Sequence, residues 1–120
     1  YAQDFNSLGT APSGNSGLPG GWTYVEGTQS LPSWTYNATD GSSTSSAGTY
    51  SMGVSGSSER AFGQHTFGTD VPKRIGAAFT NNTGTTLNQI EITYTGEQWR
   101  NCGSNNVDRL DFQYSLNATV

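Results

Sequence analysis

Leu87-Asn88-Gln89-Ile90-Glu91-Ile92-Thr93-Tyr94-Thr95 and Val107-Asp108-Arg109-Leu110-Asp111-Phe112-Gln113-Tyr114-Ser115 are the two stretches whose reading decides the fold. Both alternate apolar and polar side chains with a period of two, the pattern of a half-buried β-strand. In the second, Leu110, Phe112 and Tyr114 point one way, with Asp108 on that side near the strand start. Arg109, Asp111, Gln113 and Ser115 point the other way. Between the runs sits Gly96-Glu97-Gln98-Trp99-Arg100-Asn101, so one sheet face is expected to gather arginine, carboxylate, amide and indole groups. That set suits a polar ligand such as a sugar.

Composition points the same way. The chain has 120 residues, enough for a single core over 1–120 and too few for two. Only 12% of residues are charged, yet three tryptophans, six tyrosines and five phenylalanines argue against simple disorder. With 16 glycines, four prolines and abundant Ser, Thr and Asn, long helices lose on propensity, which leaves an all-β fold. The formal charge is −4, and the five basic residues, Arg60, Lys73, Arg74, Arg100 and Arg109, form no stripe, so no nucleic-acid partner is expected. No apolar run nears the roughly 18 to 20 residues that span a bilayer, so no membrane insertion is expected either. No charged leader with an apolar core precedes Tyr1, as expected of a mature chain or one whose signal has been removed. Cys102 is the only cysteine, which rules out an intrachain disulfide and a cysteine-based zinc site. It reads as a bystander or a reactive thiol. Scarce lysine and a Thr/Ser/Asn-rich surface lean towards an extracellular protein. Sequons begin at Asn37, Asn81 and Asn117 and matter only where the source glycosylates them.

Along the chain, Ala2 to Phe5 reads as a short first strand, followed by an irregular, turn-rich stretch from Gly9 to Gly21. Trp22-Thr23-Tyr24-Val25-Glu26 and Trp34-Thr35-Tyr36 are the next two candidate strands. The Ser/Gly-rich region from Gly41 to Ser58 contains alternating Tyr50, Met52 and Val54, which predicts a strand over Thr49 to Val54. A further strand starts at Arg60 to Phe62. Lys73 to Thr80 places Ile75, Ala77 and Phe79 on one face, and Asn81-Asn82-Thr83-Gly84 supplies turn chemistry for a hairpin leading into Leu87. Strands so spaced, with no helical segment between them, predict a β-sandwich of two antiparallel sheets with a jelly-roll-like arrangement.

Several segments together resemble a β-sandwich module of secreted bacterial proteins, found beside nuclease or other hydrolase domains and within large cell-surface proteins. They are Asp4-Phe5-Asn6-Ser7-Leu8, Leu18-Pro19-Gly20-Gly21-Trp22-Thr23, Glu59-Arg60-Ala61-Phe62-Gly63, Ile75 to Gly84, Thr93 to Arg100 and Asp108 to Ser115. The opening is also similar to jelly-roll adhesin modules of surface proteases. The resemblance spans nearly the whole chain, but it marks a fold and not a reaction. It implies an extracellular module, carbohydrate-binding or adhesin-like. Members of that family continue past the Gln-Tyr-Ser strand with further strands and an acidic segment beside the first strand. The resemblance therefore implies vacant sheet positions, which a partner strand would fill by donor-strand complementation. A shorter domain closed by its own strands, or an incomplete sequence, is the plainer alternative.

The chemistry disfavours an enzyme. His65 is the sole histidine and no Gly-x-Ser-x-Gly elbow occurs, so a loop histidine is expected there and not a catalytic base. Glu59, Glu91, Glu97, Asp108 and Asp111 could pair as hydrolytic carboxylates, but a domain this small offers little depth for a cleft. No cofactor is required. A structural Ca2+ would draw on Asp4, Asn6, Asp40 and Asp111, although the same residues serve equally in turns and caps. For a sugar, Trp99 supplies a ring face, and Arg100, Asn101, Arg109, Asp111 and Gln113 supply hydrogen bonds. Ordinary packing accounts for the same groups if Trp99 plugs a sheet edge and Arg109 pairs with Asp111 or Glu97. Trp22 and Trp34, within alternating aromatic segments, are expected to pack in the core or on a sheet face.

Two expectations of function follow. The first is a non-catalytic extracellular module for adhesion, holding polysaccharide or cell-surface glycan. The second is a structural subunit whose incomplete sandwich joins identical subunits into a fibre or pilus by strand exchange, with 1–8 or 116–120 donated.

Overall fold

The computed structural model describes residues 1–27, 35–42, 46–66, 73–101 and 109–116. Their regular structure is entirely β: β1 (Trp22–Glu26), β2 (Asn37–Thr39), β3 (Gly48–Met52), β4 (Ala61–His65) and β5 (Lys73–Ala77). β1 and β5 form an antiparallel pair running from Trp22 opposite Ala77 to Glu26 opposite Lys73. The second sheet has the order β2-β3-β4. β3 and β4 are antiparallel, whereas β2 lies parallel to β3, with Asn37 beside Tyr50. Two purely antiparallel sheets were expected; the parallel pair corrects that. The chain leaves β2 through Asp40-Gly41-Ser42, where Gly41 has φ +81°, and the ladder is extended by Gly53 N–H donating to the Thr39 carbonyl at 3.0 Å.

β1 follows directly from its sequence. The Pro19-Gly20-Gly21 turn closes with Trp22 N–H donating to the Pro19 carbonyl, alternation then buries Tyr24, and Gly27 ends the strand with φ +72°. β3 is the middle strand of its sheet, so Thr49 and Ser51 are buried as well as Tyr50 and Met52. Gln64 on β4 ties the sheets together. Its side-chain amide reaches Thr49 Oγ1 at 3.2 Å in its own sheet, and the carbonyls of Val25 on β1 and Arg74 on β5 at 3.4 and 3.3 Å.

The core between these strands is aromatic. Phe62 meets Phe5, Tyr24 and Tyr36 with ring centroids 5.6, 5.9 and 6.1 Å apart, and Phe5 meets Trp22 edge-on at 4.6 Å. Each such pair adds about 0.5–1.5 kcal/mol beyond its buried area. Tyr36, 1% exposed, stays satisfied because its hydroxyl accepts from Gly9 N–H at 2.9 Å and donates to the Gly17 carbonyl at 3.1 Å. The irregular N-terminal stretch is thereby held down. Asn15 pairs with Tyr36 through both backbone groups, and its side-chain amide bonds to Ala11 and to the Tyr36 carbonyl.

Several expected strands change. Ala2 to Phe5 forms none: Asp4 Oδ1 accepts from Asn6 N–H, Leu8 N–H bonds back to the Phe5 carbonyl, and Phe5 takes φ +61°, so the chain turns. The segment around Tyr36 contributes a bridge to Asn15 before β2, while Trp34 lies outside the described residues. β3 stops at Met52, because Val54 already opens a turn closed by Ser57 N–H. β4 extends to His65, and β5 ends at Ala77. The Asn81 turn exists, with Asn81 Oδ1 accepting from Thr83 N–H and Oγ1, but no hairpin follows it among the described residues. Neither 87–95 nor 109–115 is assigned to a strand, and 107–108 lie outside the described residues. Their apolar side chains, Ile90, Ile92, Leu110, Phe112 and Tyr114 among them, stay exposed. A strand pattern needs a partner ladder and a covered face, and here no described residue buries that face.

Candidate functional site

The sequence-nominated ligand surface divides into two local arrangements. Trp99 is half-buried and its indole N–H donates to Glu97 Oε2 at 2.8 Å. Arg109 Nη2 meets Asp111 Oδ2 at 2.7 Å, with both side chains largely exposed at 78% and 55%. An exposed pair two residues apart on one face contributes at most about 1 kcal/mol, so it orients the two groups more than it stabilises the chain. Arg100, Asn101 and Gln113 are exposed.

The four residues nominated for calcium occupy three separate local settings. Asp4 binds its neighbour Asn6, accepting from the backbone N–H at 3.0 Å and from Nδ2 at 3.1 Å, while Asn6 Oδ1 accepts from Arg60 N–H at 3.0 Å. Asp40 Oδ1 accepts from both Ser42 N–H and Ser42 Oγ, and those bonds hold its carboxyl below the usual carboxylate range. Asp111 belongs to Arg109. Among the described residues no group of three or more His, Cys, Asp or Glu side chains converges. His65 caps the end of β4, its Nδ1 lying 3.0 Å from the Ser46 carbonyl.

One relationship joins residues that the sequence placed in different roles. The backbone carbonyl of Trp99 packs against Gly41 so closely that a Cβ there would overlap it, and φ +81° at Gly41 independently favours glycine. Trp99 is thereby seated on the turn that carries Asp40. Asp40 in turn lines an open groove of about 520 Å³ between Thr10 and Pro12, the end of β2 and the 53–60 loop. Its walls carry Thr39, Ser55, Ser57 and Ser58, and Arg60. A second open depression, at Asn81 to Ile90, has no charged side chain in its lining.

Arg60 is the group that sequence reasoning missed as a site residue. Only 4% exposed, it donates from Nε to Ser51 Oγ at 2.8 Å and from Nη2 to the Ser51 carbonyl. Gly53 makes room for it, since a Cβ at that position would overlap Nη1 and come within 2.6 Å of the Glu59 carbonyl. Alternation held the signal: a period of two through β4 puts Arg60 on the side of Phe62 and Gln64, which is the inward side.

Comparison with known protein families, with curated proteins and with solved structures finds no match.

Proposed function

We propose that this chain is a non-catalytic extracellular module that binds polysaccharide or cell-surface glycan, with jelly-roll-like sheets as its scaffold. The observation that carries the reading is a groove walled by hydroxyl and backbone groups, lined by Asp40, whose neighbour Gly41 carries the backbone of Trp99. Sugars are held by several neutral and charged hydrogen-bonding groups combined with an aromatic face; the groove supplies the hydrogen-bonding groups, and Trp99, whose backbone rests on Gly41, is the aromatic residue we assign to the ring. No helix among the described residues is long and apolar enough to cross a membrane. An immobilised glycan panel, followed by calorimetry on the best binder, tests the proposal. Trp99→Ala should weaken binding about tenfold, a loss of roughly 1.4 kcal/mol. Binding to no glycan overturns the reading, and binding indifferent to Trp99→Ala removes the site.

A second reading is favoured by the exposed apolar residues of the C-terminal segments: a subunit whose uncovered face is completed by a strand from an identical subunit. Size-exclusion chromatography with light scattering and negative-stain microscopy separates the two. A species that stays monomeric at millimolar concentration, with no fibres, overturns strand exchange.

A further inference from the structure

Burying a guanidinium is unfavourable unless its charge and all its N–H groups are met. Arg60 is met on one side only. Nε and Nη2 present two parallel N–H bonds along one edge of the planar group, and Ser51 takes both, one on its hydroxyl and one on its carbonyl. The other edge, formed by Nη1 and the second N–H of Nη2, has no acceptor among the described residues. The ion pair present among the described residues is Arg109 with Asp111, so no described carboxylate neutralises Arg60. Gly53, whose missing side chain leaves room for Nη1, and Arg60 both line the groove.

We propose that the groove binds an acidic glycan through a carboxylate seated on the free edge of Arg60, with uronic acid residues as the ligand class. This rests on the glycan-binding reading of the same groove. A carboxylate matches the guanidinium edge with two parallel charge-assisted hydrogen bonds. Such a ligand supplies the counter-charge that the fold leaves out, while Thr39 and the 55–58 serines face its hydroxyls. Asp40 on the same groove opposes the incoming charge. Its carboxylate is turned to Ser42, which draws it into its own turn.

The test compares oligogalacturonate with its fully methyl-esterified form and with a sulfated oligosaccharide, by calorimetry and by NMR of the Arg60 side-chain N–H signals in the unaltered protein. The proposal expects oligogalacturonate to bind at least about tenfold more tightly than its ester, and the Arg60 Nε signal to shift on binding. Asp40→Asn, an exposed change, should tighten oligogalacturonate binding about threefold relative to any change it makes in binding of the ester. Arg60→Lys, checked for folding by circular dichroism, should lose the preference for the acid over the ester. Equal affinity for acid and ester, a stronger response to the sulfated sugar, or an unmoved Arg60 signal overturns the uronate assignment while the glycan reading stands. Failure of every sugar in the broader panel overturns both.

Discussion

The Tyr94 and Phe112 rings stack, with centroids 6.0 Å apart and planes 15° from parallel, although both side chains remain more than half exposed. The two C-terminal segments therefore meet at this ring pair without forming strands, while Ile90, Ile92, Leu110 and Tyr114 remain exposed.

Replacing this row with polar groups should leave the two sheets intact. Leu110→Ser and Ile92→Ser, both at exposed positions, are expected to change unfolding free energy by no more than about 0.5 kcal/mol and to reduce binding of a hydrophobic dye. Chemical denaturation with dye fluorescence checks this. A loss of several kcal/mol would mean that the row is buried in solution, as strand completion by a second copy requires.

Ser51 is fully buried and accepts the Arg60 Nε–H. Ser51→Ala removes an acceptor from a charged donor and should cost about 1.5–3 kcal/mol, read from the urea midpoint. A cost near zero would show that water readily replaces Ser51 at Nε and that Arg60 is not sealed on that edge.

Gly41 and Gly56 share φ +81°, but a Cβ at Gly41 overlaps the Trp99 carbonyl whereas a Cβ at Gly56 meets nothing within 4 Å. Gly56→Ala should therefore cost about 1–2 kcal/mol from backbone conformation alone. Gly41→Ala should cost more and should displace Trp99, seen as a shift in its fluorescence. Equal costs with unchanged fluorescence would contradict the seating of Trp99 on the Asp40 turn.

Burial, reinforced by the Glu26 charge, pushes the Tyr24 hydroxyl up to about 12, and burial also raises Tyr50. An unfolded tyrosine titrates near 10. Between those values the unfolded chain releases protons that the folded chain keeps, so this contribution to stability is fully present below about pH 10 and is lost as pH rises towards 12. Urea midpoints at pH 9 and pH 11.5 should fall accordingly, and Tyr24→Phe should flatten the fall. A midpoint independent of pH over that range would contradict the burial of these hydroxyls.

The legible part of the sequence was local. Trp22 to Glu26 reads as a strand and is one, because alternation, β-forming side chains and flanking turns all agree there. Lys73 to Ala77 is legible for the same reason. The parallel pairing of Asn37–Thr39 with β3 left no local mark, since strand direction is set by where the chain returns after Asp40. The 87–95 and 109–115 runs show the limit from the other side: alternation records which face would be buried and says nothing of what buries it. At the site, Trp99 and Asp40 were recognisable as residue types, but the seating of the Trp99 backbone on the turn that follows Asp40 depends on the close approach at Gly41. Arg60 was hidden because a charged residue at the head of a short strand reads as surface until the packing of Phe62 fixes which way it faces.

The most direct test of glycan binding at this groove is a backbone chemical-shift map of the unaltered protein titrated with the strongest binder from a glycan panel. The account predicts saturable shifts at Thr39, Asp40, Gly41, Gly53 to Ser58 and Trp99, reduced in Trp99→Ala. Shifts centred on Leu110 to Leu116 instead, or none for any glycan, would contradict it.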